Sequence, residues 1–189
     1  LIATQVNSAG VTQASQFTAF SNVQDTTTSA TVAGNNINAH NEGALLDIAS
    51  QQTNQAYVRA QAQAAAFQFG SAGANAYGVG NALAAGDVGG ELALDTTQLN
   101  GAGGIEALAQ FDGTEGYDGS ATATAMGNSI TGYSCAECSG RLTVANSQTN
   151  YSDVGAQSVV NVTATGRSAS GVSKAIGNTA TYYISTPGQ

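Results

Sequence analysis

The stretch AMGNSI, Ala125 to Ile130, contains the feature that decides the fold, because its Gly-Asn pair recurs along the chain. The pair stands at Gly34-Asn35, Gly80-Asn81, Gly127-Asn128 and Gly177-Asn178. The intervals between successive pairs are therefore 46, 47 and 50 residues. A pair that returns at so regular a spacing is typical of repeat proteins.

A second motif, Gln-x-Asn, keeps the same period. It stands at Gln5-x-Asn7, Gln52-x-Asn54, Gln98-x-Asn100 and Gln148-x-Asn150, at intervals of 47, 46 and 50 residues. Two independent motifs with one period indicate a repeat that spans the whole chain of 189 residues. We therefore expect a single repeat domain, 1–189, with units of approximately 1–47, 48–93, 94–143 and 144–189.

The residues around both motifs alternate between small or polar and apolar side chains, which is typical of strands. Both motifs also share one pattern, in which Asn is followed after one residue by a small or apolar one. Taken as one series, the asparagines follow one another at steps that alternate between long and short: Asn7, Asn35, Asn54, Asn81, Asn100, Asn128, Asn150 and Asn178. Each step suits one coil, so the sequence predicts an all-β fold, a β-solenoid (β-helix) of about four 47-residue repeats with two coils per repeat.

In such a solenoid each Asn would hydrogen-bond to the Asn of the neighbouring coil, forming an amide ladder. The Gly before Asn would allow a positive φ or a close backbone approach at a corner. The alternative is that Asn and Gly only mark exposed turns.

The stretch QAYVRAQAQAAAFQF, Gln55 to Phe69, has the alanine content of a helix. It occupies the same place in its unit as Tyr151 to Gly166, which reads as a strand. We therefore favour a strand for Gln55 to Phe69 over a helix.

Composition excludes several classes of function. Charged residues make up only 8% of the chain and the net charge is −8, and four scattered cations, Arg59, Arg141, Arg167 and Lys174, cannot form a face for nucleic acid or for an anionic membrane. No apolar run is long enough for a membrane span. Few charges, many amides and hydroxyls, and a chain that begins at Leu1 rather than Met favour an extracellular or outer-membrane-associated protein of the bacterial surface after removal of a signal peptide.

The two cysteines, Cys135 and Cys138, stand between Asn128 and Asn150, in the one short step that is longer than its two counterparts. A zinc site needs about four ligands, and the single histidine, His40, lies far away in a loop-like stretch. A redox dithiol would need a helix after the first Cys. We therefore interpret the pair as a disulfide that closes a loop.

The most acidic stretch, FDGTEGYDG, carries Asp112, Glu115 and Asp118. Oxygen ligands on a glycine-rich loop could hold calcium, but the spacing is not that of a calcium-binding loop, so a solvated loop is favoured. No acidic cluster lies near a cation in sequence, as the active site of a polysaccharide lyase would require. We therefore expect no enzyme activity and no cofactor.

The two ends of the chain are apolar and carry no capping helix. Leu1 and Ile2 begin at a repeat position, and Tyr182, Tyr183 and Ile184 form a strong β segment near the C-terminus. Uncapped solenoid ends are exposed sheet edges that can pair with another chain. These five residues are therefore a candidate assembly edge, the alternative being a terminal strand that folds onto its own solenoid.

The series Gln52-x-Asn54-x-Ala56-x-Val58-x-x-Gln61 resembles the repeat of curli-type fibre subunits, although the unit here is about twice as long. The segments Gly132 to Asn150 and Arg167 to Tyr183 resemble the D-type holdfast anchor proteins of stalked alphaproteobacteria. That resemblance implies an outer-surface protein that tethers an adhesive polysaccharide to the cell and is exported with curli-like machinery.

The sequence therefore predicts a non-catalytic extracellular structural or adhesive protein. Its expected partners are itself, in a head-to-tail filament, or other cell-surface anchor proteins, and an extracellular polysaccharide is a further candidate. The alternative function is a carbohydrate- or ice-binding β-solenoid module that uses rows of Thr.

Overall fold

The computed structural model describes residues 1–135, 140–164 and 166–185, and it forms ten β-strands in this part of the chain. They are Ile2–Asn7 (β1), Val11–Asn41 (β2), Leu45–Asn54 (β3), Tyr57–Asp87 (β4), Glu91–Asn100 (β5), Ile105–Thr114 (β6), Asp118–Cys135 (β7), Leu142–Asn150 (β8), Val154–Thr163 (β9) and Ser168–Ser185 (β10). No helix is present among the described residues. The chain is thus all-β, and that prediction is confirmed.

The alanine-rich stretch lies almost wholly within β4, so the prediction of a strand there is confirmed. Ala60, Ala62 and Ala64 are buried, and the residues between them, such as Gln61 and Gln63, are half-buried. This alternation has the two-residue period of a strand. Parallel neighbours on both sides, β2 and β6, satisfy the backbone that a helix would have satisfied internally.

Parallel pairing joins strand segments that lie one repeat apart along the chain. Strands β1, β3, β5 and β8 form a four-stranded sheet, which we call the first stack. Its register places Asn7 opposite Asn54, Asn54 opposite Asn100, and Asn100 opposite Asn150.

The remaining strands form a second parallel sheet that bends into two parts. The second stack comprises residues 11–21 of β2, residues 57–67 of β4, β6 and β9. The third stack comprises residues 25–41 of β2, residues 71–87 of β4, β7 and β10. The chain turns from the second stack to the third at residues with left-handed backbone angles: Asn22 (φ 56°), Gln68 (55°), Glu115 (57°) and Ala164 (78°).

The interior is thin and divides into two apolar clusters. The larger cluster lies between the second and third stacks and consists mainly of alanine, with Phe69 and Phe111 in edge-to-face contact at 5.3 Å between ring centroids. The smaller lies between the first and third stacks and includes Ile48, Leu83 and Leu92. Small side chains let the stacks approach closely, which leaves room for bulk only at these few positions.

The prediction of two coils per repeat is wrong. Asn35 lies opposite Asn81 and not opposite Asn54, because the Gly-Asn motif belongs to the third stack and the Gln-x-Asn motif to the first. The alternating long and short steps between asparagines therefore cross from one stack to another, and only a full repeat interval returns the chain to the same stack.

Candidate functional site

The buried asparagines of the third stack form a hydrogen-bonded ladder. Nδ2 of Asn35 donates to Oδ1 of Asn81 at 2.8 Å, Asn81 donates to Asn128 at 2.8 Å, and Asn128 donates to Asn178 at 2.7 Å. Asn81 and Asn128 are fully buried. Each bond runs from a strand to the next one toward the C-terminus, so the ladder has a direction.

The asparagines that end the strands of the first stack form a second ladder with the same direction. Asn7 donates to Asn54 at 3.1 Å, Asn54 to Asn100 at 2.8 Å, and Asn100 to Asn150 at 2.7 Å. The eight asparagines of the sequence pattern therefore lie in two ladders, and the single series that the sequence suggested is wrong.

The two ladders lie side by side and are connected to each other's strands. The second N–H of Asn35 donates to the Thr53 carbonyl at 2.9 Å, and that of Asn81 donates to the Leu99 carbonyl at 2.9 Å. These bonds fix which way each amide points, because both hydrogens of Nδ2 are then used. The ladders thus tie the third stack to the first.

The Gly before Asn35, Asn81 and Asn128 is required by this closeness and not by a positive φ, whereas a Cβ on Gly177, at the last strand, would lie 3.7 Å from Nδ2 of Asn150. A Cβ on Gly80 would lie 2.6 Å from Oδ1 of Asn100 and 2.6 Å from the Gly127 carbonyl oxygen. Among the glycines in the described part of the chain, only Gly104 has a positive φ, 85°. The sequence suggested either a positive φ or a close backbone approach at a corner. The structure shows the close approach, and it occurs inside a strand and not at a corner.

A third ladder, of glutamines, runs in the opposite direction along the first stack. Nε2 of Gln52 donates to Oε1 of Gln5 at 2.8 Å, Gln98 donates to Gln52 at 2.7 Å, and Gln148 donates to Gln98 at 2.8 Å. Each glutamine also donates to a carbonyl of the third stack, as Gln52 does to Ala82 at 2.9 Å. The sequence motif Gln-x-Asn contains these glutamines. Each lies two residues before an Asn and therefore on the same face of the strand, and this spacing could have predicted a ladder of glutamines.

Both ends of the stacks expose unpaired strand edges. We call β1 and β2 the N-terminal end and β8, β9 and β10 the C-terminal end. Within the described part of the chain, each of these strands pairs on one side only. Such edges offer a row of free N–H and C=O groups to another chain.

Four of the five candidate assembly residues lie at these ends with large exposed fractions: 57% for Leu1, 88% for Ile2, 56% for Tyr183 and 51% for Ile184. Tyr182 differs, because its side chain points inward and packs against the smaller apolar cluster. Its ring lies 2.9 Å from where a Cβ on Gly132 would be, and burial raises the pKa of its hydroxyl.

The remaining candidate sites do not converge. Cys135 is buried at the end of β7, whereas Cys138 lies outside the described residues, so the disulfide stays a prediction. His40 is largely exposed, with a side chain that is 59% accessible.

The three candidate calcium ligands have separate partners. Asp112 accepts from Gln110 and Asn161, Glu115 accepts from Gln68, and Asp118 pairs with Arg167. No group of three or more His, Cys, Asp or Glu that could hold a metal occurs among the residues that the structure describes. Hydrogen bonds from Arg167 and Ser168 lower the pKa of Asp118.

A groove of about 520 Å³ crosses the outer side of the second stack from β2 to β9. Ala19 and Ala65 line one part of it, beside the Phe67 side chain, which is 43% exposed. Asp112 and Asn161 line the other part, near a contact of 3.2 Å between the hydroxyls of Thr114 and Thr163. The groove therefore combines an aromatic ring with polar groups that can donate and accept.

Comparison with known protein families places the chain beside one whose members are described as attachment proteins. The model of the family described as holdfast attachment protein D matches residues 1–104, which is more than half of the chain. The segments that carried the resemblance in the sequence, 132–150 and 167–183, lie beyond this match. No curated protein and no solved structure matches the chain. In the described ranges no helix has the length and hydropathy needed to cross a membrane.

Proposed function

Because the chain belongs to the holdfast attachment protein D family, we propose that it is a non-catalytic adhesion protein of the bacterial surface that anchors an adhesive polysaccharide to the cell. The family match carries the proposal. The two stack ends support it, because a protein built to connect other components needs surfaces that remain open.

The parallel pairing supports a β-solenoid for the whole chain. Each turn of the solenoid takes one repeat and passes through the first, second and third stacks in order. Four coils then correspond to the units of approximately 1–47, 48–93, 94–143 and 144–189. A narrow rod of this kind suits a tether, since it adds length without a wide core.

Self-association into a surface filament is the form of anchoring that the open ends favour. The unpaired edges of β1 and β10 and the exposed Ile2 and Tyr183 support it. Other anchor proteins of the cell surface are alternative partners, because an open strand edge can also pair with a different chain. The protein would reach the surface after removal of a signal peptide.

Electron microscopy of the purified chain tests self-association. We expect thin, smooth filaments one solenoid wide. Discrete particles of uniform size at every concentration would contradict filament formation.

Retention of the adhesive by living cells tests anchoring separately. We expect that cells lacking the protein release labelled polysaccharide into the medium, and that the intact gene restores retention. Equal retention with and without the protein would contradict the anchoring function.

The groove on the second stack favours direct carbohydrate binding as a second candidate function. Apolar rings and a few well-placed polar groups are the usual lining of a small-molecule site, and here Phe67 and Asp112 supply both. We expect a neutral soluble glucan in a native gel to retard the wild-type protein and Phe67→Ala to reduce the retardation. Tyr151→Ala, which removes an exposed ring at the C-terminal end, is the matched control, and equal effects of both variants would contradict the site.

A further inference from the structure

We propose that a second copy of this chain occupies each open end in one register, with the C-terminal end of one copy on the N-terminal end of the next. Asn150 and Asn178 of one copy then lie beside Asn7 and Asn35 of the next copy. The inference rests on the self-association proposed above and adds its register and its contacts. Three properties of the ends support it: amide polarity, exposed apolar side chains and interior volume.

The asparagine ladders end in donors at one end and acceptors at the other. Nδ2 of Asn150 donates to the Ser152 carbonyl and that of Asn178 to the Gln148 carbonyl, so within the described residues each keeps one N–H for a further bond. At the N-terminal end, Oδ1 of Asn35 accepts no bond from the described part of the chain. A second copy in the proposed register continues both ladders with the direction they already have.

The glutamine ladder ends with the opposite polarity. Gln5 uses one N–H, on the Asn36 carbonyl at 2.9 Å, and keeps the other for a partner. Gln148 donates both hydrogens, to Gln98 and to the Thr179 carbonyl, while its Oε1 accepts none from the described residues. In the same register Gln5 of the next copy therefore donates to Gln148.

An arrangement in which two copies meet through identical ends is disfavoured by the amide donors and acceptors of the ladders. If two N-terminal ends met, acceptor oxygens of asparagines would face each other and the glutamine donors would face donors. Buried amides without partners are costly, so the ladders discriminate between the two arrangements.

The exposed apolar side chains of the outer side match across the proposed junction. Phe17, Gln63, Gln110 and Val159 lie in one row across the four strands of the second stack. Only the two outermost members of that row are apolar, and they are 67% and 36% exposed. Stacking places Val159 of one copy against Phe17 of the next, which removes both from water.

The interior volumes are also complementary. One inward row begins with Ala39 and ends with Tyr182, and the neighbouring row begins with Ile37 and ends with Ala180. In the proposed register the large Tyr182 meets the small Ala39, and the small Ala180 meets the large Ile37. The interior therefore continues through the junction without a doubled bulky layer.

Proline can block each end without removing a backbone hydrogen bond of the monomer; the one side-chain bond lost is that from Gln13 to the Ser15 hydroxyl, which Ser15→Ala also removes. The Asn7 carbonyl accepts from Gln55, which directly follows β3, and the Gly10 carbonyl accepts from Tyr57 of β4. Backbone groups alternate sides along a strand. Thr4 and Ser15 therefore direct their N–H groups to the open edge, where proline is tolerated.

The same reasoning identifies positions at the C-terminal end. The Asp153 carbonyl accepts from Ile105, and the Ser168 N–H donates to Tyr117. Ala156 and Ala175 therefore direct their N–H groups outward.

The test compares Thr4→Pro/Ser15→Pro with Ala156→Pro/Ala175→Pro in sedimentation velocity. We expect each variant alone to be monomeric and an equimolar mixture to form dimers, because one open N-terminal end then meets one open C-terminal end. Thr4→Ala/Ser15→Ala and Ala156→Ser/Ala175→Ser keep the N–H groups and should assemble like wild type. Dimers of either proline variant alone, or a monomeric mixture, would overturn the proposal.

A second pair of variants changes only exposed side chains, so that folding is not at issue. Phe17→Lys/Val159→Lys places like charges across the junction and should raise the concentration needed for assembly about tenfold. Phe17→Lys/Val159→Glu places opposite charges there and should restore assembly. If two N-terminal ends met instead, Lys at position 17 would face Lys at position 17 in both variants. An equal loss of assembly in both variants would therefore overturn the proposal.

These outcomes remain separate from those for the proposed function. Wild-type protein that assembles while the variants behave otherwise contradicts the register and the direction alone. Wild-type protein that stays monomeric contradicts self-association as well. Anchoring is decided by the retention of polysaccharide on cells, which neither result determines.

Discussion

At the scale of single residues, a buried side-chain amide is stabilising only when all of its groups have partners. Asn81 has them: it donates to Asn128 and to the Leu99 carbonyl, and it accepts from Asn35. Removing such a group leaves two neighbouring amides and a carbonyl unpaired in the interior, and each unpaired group costs about 1–3 kcal/mol.

We therefore expect Asn81→Ala to lower the free energy of unfolding by about 3 kcal/mol or more. Asn178→Ala is the matched control, because Asn178 is the last member of the same ladder and lies at an exposed end. It should cost about 1 kcal/mol. Denaturation by urea measures both, and equal losses would contradict a ladder whose contribution depends on burial.

Glycine in the Gly-Asn pair has a steric role that a single methyl group tests. In Gly80→Ala the new Cβ would lie 2.6 Å from the Gly127 carbonyl oxygen and 2.8 Å from Ile105. The backbone oxygen belongs to a paired strand and cannot move away cheaply, so we expect a loss of about 1–3 kcal/mol in the free energy of unfolding.

Gly155→Ala is the corresponding control, because nothing lies within 4 Å of a Cβ at that position. Its midpoint of urea denaturation should change little. A Gly80→Ala protein as stable as Gly155→Ala would show that the stacks can separate at the ladders, against the close packing described above.

At the scale of elements, the alanine-rich strand shows what local preference can and cannot decide. Its composition favours a helix, and nothing in the local sequence of Gln55 to Phe69 disfavours a helix. The strand arises because β2 and β6 pair with it on both sides and because alanine fits the thin space beneath. Only the repeat, which assigns the stretch to the same place as Tyr151 to Gly166, made the strand predictable.

An ion pair whose effect varies with pH joins the start of β7 to the start of β10. Arg167 and Ser168, which precede and begin β10, hydrogen-bond to Asp118 and lower its pKa. A carboxyl with a lowered pKa in the folded state stabilises that state above its unfolded pKa, and the contribution is lost as the pH falls through the folded pKa. The stabilisation should thus be present at pH 7 and disappear in acid below the ordinary range of aspartate.

We expect Arg167→Ala to be less stable than wild type at pH 7, with a difference that shrinks as the pH falls through the pKa of Asp118. Thermal unfolding across this range measures the difference, and carboxyl NMR should show the pKa of Asp118 rising in the variant. In an Asp118→Asn background the Arg167→Ala exchange should lose its pH dependence. A difference that persists unchanged in acid would assign the effect to packing.

At the scale of the whole molecule, the sequence could predict strands, but not how the segments between successive asparagines are distributed among the stacks. Both motifs satisfy the same local pattern of Asn, any residue and apolar residue, because both place an amide beside the core. Spacing alone is therefore compatible with a separate coil for each interval between successive asparagines, whether that interval is long or short. The residue before each Asn separates the motifs, since Gly is needed only where a second ladder presses against the strand.

Other features depended on contacts that no spacing reveals. The glutamine ladder runs against the asparagine ladders, and its second hydrogen reaches carbonyls of the third stack, such as Asn36. The left-handed corner includes Glu115 and Gln68, residues that do not mark such a conformation in a sequence. Tyr182 and Tyr183 look alike in the sequence, and only the inward or outward direction along the strand separates a core residue from an edge residue.

Parallel stacks with open ends should be least stable where pairing is one-sided, because each strand depends on its neighbours. Strand β4 has neighbours on both sides and β1 has one. We therefore expect hydrogen exchange to be slowest in β4 and fast in β1. Within β1, Thr4 directs its N–H to the open edge and Gln5 toward β3, so Thr4 should exchange faster than Gln5 in the monomer.

Assembly should change this pattern in a specific way. If a second copy covers the N-terminal end, the Thr4 N–H gains a partner while the environment of β4 stays the same. Exchange at Thr4 should then slow in filaments to the rate of Gln5, and exchange in β4 should not change. Filaments in which Thr4 still exchanges quickly would have to be joined through another surface, such as the outer side of the third stack, because an edge covered by a parallel strand cannot leave that N–H free.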